Sequence, residues 1–234
     1  MAVSRVLAAF LLFLLSFGQA VASVYSFATA ANSVDSAGEP VRARVKFSIS
    51  AGSMVVTVIN LQSGIVSVGQ DISSLFFTVD SGGAVLSLGS KDLATSTGTQ
   101  VNISSGGAVT STKTVSPIAH WTAGSSGGQS YLNDLSGGGS PIDTIIGPPS
   151  SNGSYTTVNS SIAGNGPHNP FIQQQAVFTF NNPGLLQTAK VTNVLVGFGT
   201  TAGNTIRMIP EPGSLLLFAL GLAFFIRPVS GSRK

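Results

Sequence analysis

The side chains able to do chemistry are few and widely spaced. Gly124-Ser125-Ser126-Gly127-Gly128 fits the G-x-S-x-G pattern of a serine nucleophile, with Asp134 or Asp143 and then His168 following in hydrolase order. A nucleophile elbow needs a buried strand before the serine and a helix after it. Here the flanks are Thr122-Ala123 and Gln129-Ser130, and about 42 residues separate Ser126 from His168, too few for the βα units that normally intervene. His120 and His168 are the two histidines, and with Asp143 they would offer three ligands to a metal. No H-x-x-x-H spacing fixes their geometry, so no metal and no cofactor is expected. Calcium-loop and phosphate-loop patterns are missing. Glu39 is the only glutamate before residue 211, which leaves paired-carboxylate chemistry to a short list of aspartates. No residue is assigned a catalytic role, and the expectation is a protein that is not an enzyme. What remains is binding. Trp121, Tyr131 and Tyr155 on loops would stack on the apolar faces of sugar rings, with Asn and Asp bonding hydroxyls. The plainer reading packs Trp121 in the core.

The elements that must position these residues are strands. Of 234 residues, 43% are hydrophobic and only 8% charged, against roughly 25% charged in ordinary soluble domains. Disorder needs the opposite balance. The 28 glycines suit many turns, and with no cysteine the fold has neither a disulfide framework nor a thiol nucleophile. The formal charge of +3 comes from the ends of the chain. Between residues 23 and 208 seven basic residues face seven acidic ones, which argues against nucleic acid as a partner.

Val41, Ala43, Val45, Phe47 and Ile49 alternate with Arg42, Arg44, Lys46 and Ser48, the period of a half-buried strand whose basic face discourages edge-to-edge pairing. Ala51-Gly52-Ser53 offers a turn into the valine-rich run Met54 to Ile59. Ser74 to Val79 and Ala84 to Leu88 flank Ser81-Gly82-Gly83 as a second hairpin, and Gln175 to Phe180 and Lys190 to Phe198 add two more strands. Residues 91–170 read as long Gly/Ser-rich loops, with short strands available at Val101 to Ile103, Ala108-Val109 and Tyr155 to Val158. The pattern predicts an all-β domain over residues 23–208, a sandwich of jelly-roll type.

The two ends are addresses. Arg5, the apolar run Val6 to Phe17 and Ala20-Val21-Ala22 form the three parts of a secretory signal peptide over residues 1–22, with cleavage before Ser23 by signal peptidase. The other end reads Ile209-Pro210-Glu211-Pro212-Gly213-Ser214, then an apolar run to Ile226, then Arg227, Arg233 and Lys234. Two prolines, each without an N–H, stop a strand arriving from upstream. The run 214–226 predicts a transmembrane helix about 20 Å long, short of the roughly 30 Å hydrocarbon core and suited to transient anchoring. The trailing cations keep the tail cytoplasmic and the domain outside.

Pro-Glu-Pro, a short hydrophobic helix and a basic tail together resemble the PEP-CTERM sorting domain. The resemblance covers residues 209–234 and matches Pro210, Glu211 and Pro212 residue for residue. It implies an exported protein of a Gram-negative, exopolysaccharide-producing bacterium. The membrane protease exosortase would recognise the motif in an inner-membrane precursor, and the product would go to the cell surface or extracellular matrix. With no constellation of catalytic residues, the leading expectation is a non-enzymatic structural or interaction role; the alternative is a carbohydrate-binding module for the organism's exopolysaccharide, and a secreted hydrolase comes a distant third.

The cleavage site makes Ser23 the mature N-terminus. N-terminal sequencing of the exported protein checks this, and Ala22→Arg is expected to leave an uncleaved precursor held in the membrane.

Overall fold

A computed structural model of the chain describes residues 22–135 and 140–212. Residues 1–21 of the expected signal segment, Ala20 among them, and the expected membrane helix 214–226 with its basic tail lie outside the described residues, whereas Ala22 lies within them. Among the described residues no helix is long and apolar enough to cross a membrane. Helical structure there includes a short 3-10 turn, Val68–Gln70.

Fourteen strands follow in chain order: β1 Ser23–Ala28, β2 Ala43–Ser50, β3 Ser53–Asn60, β4 Ile72–Ser81, β5 Ala84–Leu86, β6 Leu93–Ile103, β7 Val109–Val115, β8 Thr122–Ser126, β9 Gln129–Asn133, β10 Ile145–Ile146, β11 Phe171–Asn181, β12 Lys190–Phe198, β13 Thr205–Arg207 and β14 Ile209–Pro210. The protein is all-β, as its alternation predicts. The strands bond into one branched sheet whose main path is β13-β12-β4-β10-β11-β3-β2-β1-β14. Strand β5 and the β8–β9 hairpin attach to β4, and the β6–β7 hairpin attaches to β11.

The expected hairpins form in register. Ser50 pairs with Ser53, leaving Ala51-Gly52 as the turn between β2 and β3. Ser81 pairs with Ala84 around Gly82-Gly83. Both of those glycines have positive φ, 71° and 87°, as a tight hairpin turn requires. Val41, Ala43, Val45, Phe47 and Ile49 are all buried, and Met54, Val56 and Val58 of β3 join them.

This apolar face cannot be covered by a helix, so the sheet covers itself. Strands β2 and β4 have three strands between them in the bonded order, which in a flat sheet would place them about 19 Å apart. Yet the rings of Phe47 (β2) and Phe77 (β4) lie 5.2 Å apart, and Phe77 meets Phe180 (β11) at 6.3 Å. The sheet therefore folds over, and these rings meet in its interior, one pair tilted and the other edge-on. A second, smaller core of Val101, Ile103, Ile146, Tyr155, Ile162 and Phe171 lies under the loops.

Three expectations change. Residues 93–133 form two hairpins rather than loops, because Thr-rich strands such as β7 pair through the backbone while leaving Thr110 to Thr114 exposed. Tyr155 to Val158 lies outside any strand, its residues in or beside turns. Strand β2 is no edge, since β1 and β3 flank it, so its cations do not guard against edge pairing.

Phe47 is fully buried, with Phe27 at 5.8 Å and Phe77 at 5.2 Å. Phe47→Ala is expected to cost about 3–5 kcal/mol in urea unfolding. Exposed Lys46→Ala, its neighbour on the wet face, should change stability by under about 0.5 kcal/mol.

Candidate functional site

The sorting motif is built into the domain. Strand β14 runs antiparallel to β1, pairing Ala28 with Ile209 and Phe27 with Pro210. This corrects the expectation that the prolines end any strand. Strand β14 lies at the end of the sheet path, where a missing ladder N–H costs nothing, so proline is tolerated. One residue on, the Glu211 N–H donates to Ser26 O at 2.8 Å.

The side chain of Glu211 is held as firmly as its backbone. Directly paired residues of neighbouring strands share a face. Arg44 and Lys46 of β2 are paired with Ala28 and Ser26 of β1, and these small residues lie beside Ile209 and Glu211. The small pair leaves a lane across β1 for a long side chain. Through it the Arg44 guanidinium donates from Nε at 3.1 Å and Nη2 at 2.9 Å to Glu211 Oε1, and Ser26 Oγ donates to Oε2. The Ser26 hydrogen bond, with Arg44 and then Lys46, holds the Glu211 carboxyl below its ordinary range. Sequence reasoning missed Arg44 and Ser26, which lie 167 and 185 residues from Glu211.

The same pairing sets the direction of exit. Antiparallel to β1, the chain at Pro212 heads toward Ser23, the first residue of that strand. Both targeting segments thus join the domain at one end of one strand. Ser23 is anchored there by its hydroxyl, which donates to Gln187 O at 2.7 Å.

The structure does not assemble the expected sugar platform. Trp121 is buried against Phe178 at 5.2 Å, and its indole N–H donates to Asp143 O at 2.8 Å. Tyr155 is buried as well. Its hydroxyl donates to Gly147 O at 2.9 Å, and burial pushes its pKa up to about 12. Neither ring presents a face to solvent. Tyr131, half-buried on β9, packs on Phe76 at 6.0 Å and over Gly124. Ser126 ends β8 and pairs with Gln129 across a hairpin turn, so its flanks are strand and strand, with no helix following. His168 Nδ1 lies 3.0 Å from Pro141 O. Among the described residues no group of three His, Cys, Asp or Glu side chains could hold a metal.

Three carboxyls are buried where β4, β9 and β10 approach one another. Asp71 accepts from Thr144 Oγ1 at 3.4 Å, and Asp143 Oδ1 accepts from Gln100 Nε2 at 2.7 Å. Neither oxygen of Asp134 has a donor among the described residues. Burial, helped by the nearby charge of Asp143, pushes Asp134 up to about 9, and burial raises Asp71 and Asp143 as well. Asp134 is therefore protonated in the folded state at neutral pH.

The described residues thus form an all-β domain that holds the start of its C-terminal Pro-Glu-Pro segment as an edge strand. The family model of the PEP-CTERM protein-sorting motif matches residues 209–234, so the chain carries that motif. The motif implies export, a membrane-anchored precursor and exosortase as the processing partner. No curated protein and no solved structure matches the chain.

The buried carboxyls fix the sign of the pH dependence. With a folded pKa of about 9 against 3.8, Asp134 contributes stability that is full below about pH 4 and lost as pH rises toward 9. Urea unfolding between pH 5 and 9 should show stability falling with pH. Asp134→Asn should remove up to about 1.4 kcal/mol per pH unit of that slope. An unchanged slope in the variant would show that Asp134 does not carry the proton.

Proposed function

We propose that the chain is a non-enzymatic surface or extracellular-matrix protein, delivered by exosortase from an inner-membrane precursor. The supporting observation is the sorting motif at residues 209–234, seated on the strand that begins at the expected mature N-terminus. That arrangement suits a precursor held by both ends. Signal peptidase frees one side of β1, and exosortase then frees the other. We read the folded-over sheet as a jelly-roll-like sandwich, because Phe47 and Phe77, on strands distant in the bonded order, come within 5.2 Å of each other in the interior.

The alternative is a carbohydrate-binding module for the organism's exopolysaccharide. It would need exposed rings, and burial of Trp121 and Tyr155 leaves it without its stacking faces. The near-neutral domain argues for neither nucleic acid nor a strongly charged ligand. The structural role is the better supported of the two.

Membrane fractionation with an antibody against residues 227–234 tests the processing. The wild-type product should lose that epitope and leave the inner membrane, whereas Glu211→Ala, or loss of the exosortase, should leave a full-length precursor there. Retention of the epitope on the mature wild-type protein would make the tail a plain anchor.

A further inference from the structure

We propose that the folded domain clasps its own sorting motif, and that Glu211 must leave Arg44 and Ser26 before exosortase can engage it. The inference rests on the exosortase reading given above. Its basis is geometric. The motif glutamate, the charged group a protease would read, already has both oxygens engaged: Oε1 by two guanidinium nitrogens and Oε2 by the Ser26 hydroxyl. Its amide is engaged too, by Ser26 O, and Ile209 and Pro210 are in register on β1. A protease that binds the motif as an extended segment needs these same carboxylate oxygens and backbone groups. One carboxylate cannot be desolvated against two sites at once, so the domain and the enzyme compete for residues 209–212.

The contact is weak enough to be a gate rather than a block. The ion pair is partly exposed, at 37% for Arg44 and 29% for Glu211, and exposed pairs contribute modestly. Strand β14 is only two residues long. The free motif is therefore a minor but accessible population, and the apparent rate of engagement falls by the fraction that is released. Arg44 and Ser26 act in this as positioning residues on the substrate side of the reaction.

The chain's lack of cysteine allows a direct lock. Ala28 and Ile209 are directly paired, a placement that admits a disulfide between introduced cysteines.

The test is a pulse-chase of tail loss in cells that contain the exosortase, using the full chain. Arg44→Gln and Ser26→Ala are each expected to speed loss of the 227–234 epitope by about twofold to fivefold. Lys190→Gln, exposed on β12, should match the wild type. The Ala28→Cys, Ile209→Cys protein should be processed slowly when oxidised and recover on reduction. Should Arg44→Gln fail to fold, Ser26→Ala decides. If the wild type loses its tail but neither release variant is faster, or the oxidised lock is processed at the reduced rate, the clasp is overturned. If the wild type never loses its tail, the exosortase reading fails instead. Glu211→Ala, blocked in every background, separates the two outcomes.

Discussion

A sheet that is apolar on one face, in a chain with no cysteine and with almost no helix among the described residues, has to bury that face against itself. Everything else in the molecule follows from that constraint. Strands β2 and β3 supply a continuous apolar face, and the ring of Phe47 reaches across the interior to Phe77, which in turn meets Phe180. Each of these rings is fully buried, and burial of that kind contributes roughly 1.5–3 kcal/mol per side chain. The price is a buried polar seam where strands cross over. Asn60 meets it by donating to Gln70 O and Ile145 O, both at 2.9 Å. At the β4, β9 and β10 junction Asp71 and Asp143 meet it by accepting from Thr144 and Gln100, and Asp134, pushed up to about 9 by burial, meets it by keeping its proton.

Folding the sheet over leaves two ends, and an open edge is a template for other chains. At one end β13 adds three residues to β12. At the other, β14 covers Phe27 and Ala28 of β1, and the sorting motif follows at once. The residues that close this edge are thus the residues that carry the address. Pro210 does double duty: it belongs to the motif, and on an outer strand its missing N–H discourages a further strand from adding.

Much of the fold is legible in the sequence wherever one face is dry. Val41 to Ile49, Gln175 to Phe180 and Lys190 to Phe198 announce themselves by alternation, and the last two are strand throughout while the first is strand from Ala43 on. Legibility fails where strands are polar. Strand β7 has the pattern Val-Thr-Ser-Thr-Lys-Thr-Val with its middle exposed, so periodicity carries no signal and only the ladder to β6 reveals it. It fails also where loops dip inward. Tyr155 sits in Gly/Ser-rich surroundings that read as surface, yet it is core, whereas Trp121 packs in the core as its plainer reading expects. The motif residues themselves are plain in the sequence, but the partners of Glu211 are not. Arg44 reads as one of several cations on a wet face, and nothing local distinguishes it. What selects it is the lane over Ser26 and Ala28, a consequence of register between three strands from opposite ends of the chain.

That separation orders events during folding. Contacts 185 residues apart carry the largest loop-closure cost unless intervening structure brings the ends together first. The β2–β3 hairpin closes locally, β11 joins β3, and β1 then docks on β2 as the last full strand on that side. Only when β1 is seated does an edge exist for Ile209 and Pro210, and only then do Ser26 and Arg44 converge on Glu211. Strand β1 itself begins at Ser23, the expected mature N-terminus. Occupancy of the clasp therefore reports that the N-terminal strand is in place and the domain complete. The sorting motif is the last part of the fold to form and, being two residues of edge strand and a half-exposed ion pair, the first to come away.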